Sequence, residues 1–169
     1  MRNMPIHKGK VYKLGDDIDT DIIIPTQYLA LRNIEAMKKY AFEPLRAELP
    51  TLLQAGDILV CGKNFGCGSS REQAPEIIKA LGVYCVIAGS FARIFYRNSI
   101  NNGLLLIESQ EICDKVSEGE LLSIDLGKHI LQTASGDRCS FNPMPDMLLK
   151  MILCGGLVNY YQKINEKQL

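Results

Sequence analysis

The chain has no tryptophan, only two histidines, His7 and His129, and a formal net charge of zero, with 19 basic side chains offset by 19 acidic ones in 169 residues. Each scarcity removes a class of function. Balanced, interspersed charge leaves no basic footprint for nucleic acid or an anionic membrane. Two histidines far apart in sequence make a chain-internal metal site dependent on unusual spacing. No apolar run approaches the length that spans a bilayer, and the opening MRNMPIHKGKVYKLGDD lacks the apolar core of a signal peptide, so a cytoplasmic location is expected. The six cysteines, at 61, 67, 85, 113, 139 and 154, include no C-x-x-C pair and stand mostly in apolar surroundings. They resemble neither a disulfide framework nor a zinc knuckle, and most read as buried thiols. No repeat, low-complexity tract or linker divides the sequence. A 47% hydrophobic composition suits one domain, residues 1–169, with its own core.

What is present is alternation. An opening strand is read at Gly9 to Leu14, then the acidic turn GDDIDTD and a short apolar run, Ile22 to Ile24, closed by Pro25. Asn33 to Leu49 has helical stretches that Pro44 and Pro50 interrupt. From Asp57 the pattern becomes regular: strand to Cys61, a serine-rich turn, helix to Leu81, strand Val83 to Ala88, helix from about Ser90 to Ile100, strand Leu104 to Ile107. Such alternation indicates an α/β fold with βαβ units and parallel pairing. Leu121 to Asp125 and His129 to Ala134 read as an antiparallel pair, and Pro145 to Cys154 and Leu157 to Ile164 as helices. Three polar clusters then fall in loops: Asp16 to Asp21, Gly66 to Arg71, and Asn98 to Asn102. Loops beyond the carboxyl ends of parallel strands are where such sheets bind ligands.

The densest chemistry lies in GKNFGCGSSREQAP, residues 62–75. Glycines break the strand, and Ser69 and Glu72 stand in the S-x-x-E relation of a capping box, which predicts a helix from near Ser70. Unpaired amides and the positive helix end would face an anion beside Ser69, and Arg71 adds a fork for carboxylate or phosphate. The same residues could equally form an ordinary cap with a solvated arginine. Gly66-Cys67-Gly68 lacks the third glycine of a dinucleotide fingerprint, and no Gly-Lys-Ser/Thr follows, so nucleotide binding is not indicated. Cys67 has two readings: a nucleophile with lowered pKa at a helix start, or a small packed thiol.

DDIDTDIIIPTQYL (16–29), GKNFGCGSSREQAP (62–75), GSFARIFYRNSINNGLL (89–105) and the late Gly-Gly-Leu-Val together resemble the small subunits of 3-isopropylmalate dehydratase, separate-chain counterparts of the aconitase swivel domain. The resemblance implies a three-layer β/β/α swivel domain with a mixed sheet. It implies no cofactor held by this chain and a 4Fe–4S cluster on a larger partner subunit. The reaction implied is dehydration and rehydration of a small di- or tricarboxylate, with Ser69 as base, Arg71 and Asp21 in the site, and Ser70 offering a further donor to substrate oxygen. Asp21 can also be a simple turn aspartate. Tyr28, Leu29, Ala30 and Leu31 match the loop that contacts the group differing among substrates. Apolar residues there favour an isopropyl group over a third carboxylate, unless the loop register brings in Arg32; Leu29 and Leu31 can also simply pack under the loop. Gln73 stands where many relatives have histidine, which removes any titrating role at that place. The rivals are the same chemistry on homoaconitate, citraconate or dimethylmalate, and a non-catalytic anion-binding or regulatory module.

Overall fold

The computed structural model describes residues 4–166. Strand β1 (His7–Lys13) leads to the short helix α1 (Thr20–Ile23), then to α2 (Ile34–Met37), α3 (Glu43–Arg46) and α4 (Leu49–Leu52). The regular part follows as β2 (Ile58–Cys61), α5 (Gln73–Ala80), β3 (Cys85–Ala88), α6 (Arg93–Asn102), β4 (Leu105–Glu108) and α7 (Gln110–Lys115). Strands β5 (Leu121–Asp125), β6 (Ile130–Thr133) and β7 (Arg138–Ser140) precede the helices α8 (Asp146–Leu153) and α9 (Leu157–Glu166). Among the described residues the strands form one mixed sheet of seven, ordered β4-β3-β2-β1-β5-β6-β7.

Strand β1 is where the sheet changes character. Its first half, His7 to Lys10, pairs antiparallel with β5, whereas Val11 to Lys13 pair parallel with β2. On the parallel side, Ile58 and Val60 of β2 and Cys85 and Ile87 of β3 share a core with Leu122, Ile124 and Leu131 of the antiparallel strands. Their sequence neighbours Leu59, Cys61, Val86 and Ala88 share the other core with Ala74, Ile77 and Ile78 of α5. Alternate residues of one strand therefore face a β layer and an α layer, which is the β/β/α layering. Burial on both faces explains why β2 and β3 read as unbroken apolar runs.

Ile22 and Ile23, from the short apolar run before Pro25, belong to α1, whose N-cap Asp19 accepts from the Ile22 amide at 2.8 Å. Several local expectations are corrected. Pro44 and Pro50 lie in the first turns of α3 and α4, where a missing N–H has no partner to lose, so they start helices instead of interrupting one. Asn98 to Asn102 are the last residues of α6, not a loop. Helix α7, capped by Ser109, and strand β7 were not foreseen.

Candidate active site

Three loops leaving the carboxyl ends of β1, β2 and β3 are laced together through their main chains. The first meets the second where Gly62 N donates to Gly15 O at 3.0 Å, Gly66 N to Ile18 O at 2.7 Å and Thr20 N to Cys67 O at 2.9 Å. The second meets the third where Gly89 N donates to Gly62 O at 3.0 Å and Phe65 N to Ser90 O at 3.0 Å. Side chains add to this: Lys63 N donates to Asp16 Oδ1 at 2.7 Å and Asn64 Nδ2 to Asp17 Oδ1 at 2.7 Å. Phe65, fully buried, anchors the second loop with its ring edge-on to Phe95 at 5.3 Å. Burying such a side chain contributes about 1.5–3 kcal/mol. Gly66 has φ +79°, and a Cβ there would stand 2.1 Å from the Phe95 ring, so only glycine lets α6 approach this closely. Gly68, at φ +89°, completes the bend that turns Ser69 outward.

The helix expected from Ser70 begins instead at Gln73, and the capping box does not form, because Glu72 is the N-cap and makes no side-chain cap bond. Pro75 supplies the reason. A start near Ser70 would place its ring and missing N–H inside the helix against the Arg71 carbonyl, whereas a start at Gln73 leaves it in the first turn, where amides have no helical partner. Ser69 therefore lies in the loop ahead of the helix and is exposed. Among the described residues, its hydroxyl has one hydrogen-bonding neighbour, Thr20 Oγ1 at 3.3 Å.

Thr20, buried at 2% exposure, is a site residue that the sequence reading passed over, although it stands inside the DDIDTD stretch. Its hydroxyl also donates to the Ser69 carbonyl oxygen at 2.9 Å. With that single proton so engaged, the Ser69 hydroxyl donates to Thr20 Oγ1.

Arg71 folds back across the first loop instead of presenting its fork to solvent. Nη1 donates to Ile24 O at 2.6 Å and Thr20 O at 3.4 Å, while Nη2 donates to Thr26 Oγ1 at 2.8 Å and pairs with Asp21 Oδ1. The hydrogen bond from the Thr26 hydroxyl, then the one from Arg71, hold the Asp21 carboxyl below its ordinary pKa. Asp21 thus sits beside Arg71 and clamps it. Cys67 goes the other way: burial, then the charges of Asp19 and Asp17, raise its thiol pKa. The reading of Cys67 as a low-pKa nucleophile is corrected, since the helix whose dipole would have lowered that pKa starts several residues later.

Ser69, Ser70 and Arg71 line one cleft of about 670 Å³, together with Arg93, Arg97 and Asn98 of α6. Tyr28, Leu29, Ala30 and Leu31 do not line it. Tyr28 stacks on Tyr40 with centroids 4.1 Å apart and donates to Glu43 Oε2 at 2.7 Å, and it packs with Leu29 and Leu31 against the helical-side core, while Ala30 is exposed. Among the described residues no three His, Cys, Asp or Glu side chains converge as metal ligands. No described helix is long and apolar enough to cross a membrane.

The β/β/α layering and a serine loop at the carboxyl ends of the parallel strands define an α/β domain of the aconitase swivel type. The Aconitase C-terminal domain family model matches residues 16–112. The 3-isopropylmalate dehydratase small subunit of Lachnospira eligens is 59% identical over 157 residues, covering 93% of this chain and 94% of that protein. Small subunit 1 of the same enzyme from Archaeoglobus fulgidus is 44% identical over 160 residues, covering 94% and 99%. A crystal structure of 3-isopropylmalate dehydratase from Methanocaldococcus jannaschii superposes with a TM-score of 0.91 at 39% identity, covering 97% of this chain and 98% of that one. The chain belongs to the aconitase C-terminal domain family and, within it, to the 3-isopropylmalate dehydratase small subunits.

Proposed function

We propose that this chain is the small subunit of a 3-isopropylmalate dehydratase, a hydro-lyase of leucine biosynthesis that moves a hydroxyl between adjacent carbons by dehydration and rehydration. The observation that carries the reading is the exposed Ser69 hydroxyl on a cationic cleft, paired with Thr20 alone among described residues, in a chain whose small-subunit relatives match it over nine-tenths of its length. Ser69 takes the proton from the carbon next to a carboxylate. A free serine is a poor base at neutral pH, so its alkoxide requires aimed donors and nearby positive charge. When Ser69 loses its proton, the Thr20 hydroxyl can turn from the Ser69 carbonyl to the alkoxide. Arg71 supplies positive charge, and the Asp21 carboxylate holds it in place. Ser70 donates to substrate oxygen.

The name of the relatives implies a larger partner subunit, to which the 4Fe–4S cluster is assigned. Residues 1–169 form a single swivel domain in the cytoplasm. In the assembled complex the segment Tyr28 to Leu31, apolar apart from one phenol and with Ala30 exposed, faces the substrate's variable group and favours isopropyl over a carboxylate. Turnover of the reconstituted two-subunit complex on isopropylmalate, homoaconitate, citraconate and dimethylmalate tests the assignment. Isopropylmalate is expected to give the highest kcat/KM, and preference for a tricarboxylate would overturn it.

A further inference from the structure

The two edges of the sheet are finished differently. Strand β7 is three residues long and carries exposed Arg138 and Ser140, features that discourage pairing with another chain. Strand β4, at the other edge, reads Leu105-Leu106-Ile107-Glu108, with three buried apolar side chains and neither proline nor lysine. Its hydrogen-bonding direction follows from the ladder. β4 runs parallel to β3 with Val86 opposite Leu106 and Ala88 opposite Glu108, and Ser109 N donates to Ala88 O at 2.9 Å. Main-chain groups alternate in direction along a strand, so those of Ile107 and Ser109 face β3 while those of Leu106 and Glu108 face away from the sheet.

Leu106 is only 3% exposed, yet among the described residues neither its N–H nor its carbonyl has a hydrogen-bond partner on that outer side. Buried main-chain groups are almost always paired, so a buried edge residue with both groups free marks a place for a partner. The edge opens on a cavity of about 380 Å³. Phe91 and Tyr96 wall it on the side of β4, and Leu126, Phe141, Met144 and Leu149 wall it from the antiparallel half of the sheet and from α8. The sheet thus curls until its two halves share one apolar cavity without pairing across it. Phe91, Arg93 and Arg97 line both this cavity and the cleft that holds Ser69, so a chain that covers Ser69 stands at the cavity mouth.

From this we propose that an extended apolar segment of the cluster-bearing subunit adds to the outer edge of β4, taking the Leu106 N–H and carbonyl into main-chain hydrogen bonds and placing an apolar side chain in the cavity. The inference rests on the proposed dehydratase reading, which supplies the partner. Geometry selects the class of ligand. A donor and an acceptor on one residue, repeated two residues on at Glu108, is the pairing unit of a strand. A free dicarboxylate has no donor for the Leu106 carbonyl and no apolar surface to match the aromatic and aliphatic walls. Pairing at this edge fixes α6, and with it the serine cleft, against the subunit that carries the metal.

Hydrogen exchange, read amide by amide, compares the isolated chain with the two-subunit complex. The Leu106 and Glu108 amides are expected to slow by roughly 100-fold or more on assembly, whereas that of Ile107, already paired to β3, changes little. Met144→Lys, which puts a charge in the apolar cavity, is expected to raise the subunit dissociation constant by about 10-fold, with the fold of the variant checked by circular dichroism. Unchanged exchange at Leu106 in an assembled, active complex would overturn the inference and leave the dehydratase reading standing. Slowing that appears in the isolated chain as its concentration rises would overturn it in favour of a second copy of this chain at the same edge. A chain that forms no active complex with a cluster-bearing subunit would overturn the dehydratase reading and this inference together.

Discussion

Thr20 Oγ1 lies 3.3 Å from Ser69 Oγ and 2.9 Å from the Ser69 carbonyl oxygen, so one buried hydroxyl touches both ends of a residue 49 positions away. A threonine hydroxyl held this way can turn from the Ser69 carbonyl to the Ser69 side-chain oxygen once that oxygen has lost its proton. Thr20→Val keeps the shape and removes the donor. It is expected to lower kcat by roughly 10²-fold, the scale of losing one aimed donor. Thr20→Ser should retain most activity, and steady-state rates of the complex, with folding followed by circular dichroism, check both.

The Asp21 and Arg71 pair gives a second expectation. Asp21→Asn removes the charge that holds the guanidinium while leaving its shape, and should lower kcat/KM by about 10-fold through a misplaced Arg71. The pH dependence has a definite sign. Because the Asp21 pKa is depressed below 3.8 in the folded chain, the pair is intact above that value and is lost as pH falls through the lowered pKa. Titration of the Asp21 carboxyl carbon by NMR in wild type and in Arg71→Lys should show the midpoint move up towards the ordinary value in the variant.

Cys67 is expected to be dispensable. Burial and the neighbouring Asp19 and Asp17 raise its thiol pKa, so little thiolate forms near neutrality. Cys67→Ala in the complex should keep kcat within about threefold, and iodoacetamide should label Cys67 more slowly than a free thiol at pH 8. Rapid labelling coupled to inactivation would return Cys67 to the chemistry.

Gly66 ties the serine loop to α6. Gly66→Ala forces a left-handed φ on alanine and places its Cβ against Phe95, whose ring is itself locked between Phe65 and Phe91. Overpacking and strain together should cost about 3 kcal/mol or more. Denaturant unfolding of the chain would register this as a lower midpoint.

The parallel half of the fold was legible because β2 and β3 are short β-branched runs separated by amphipathic segments of helical length, so period and length agreed. Ser69, Ser70 and Arg71 were legible as a cluster for the same reason, since they fill the turn between such elements. Thr20 was not, because its role depends on pairing between loops that sequence spacing does not encode. The helix start is not legible in the S-x-x-E spacing of Ser69 and Glu72, because the ring of Pro75 governs where helical hydrogen bonding can begin.

The most direct measurement is single-turnover dehydration by the complex carrying Ser69→Ala, with subunit association measured on the same preparation. The variant should assemble with unchanged affinity, bind isopropylsuccinate within a few-fold of wild type, and lose roughly 10²- to 10⁴-fold in the chemical step, the range for removing a positioned general base. A Ser69→Ala complex that assembles normally and dehydrates isopropylmalate at the wild-type rate would contradict the role assigned to Ser69.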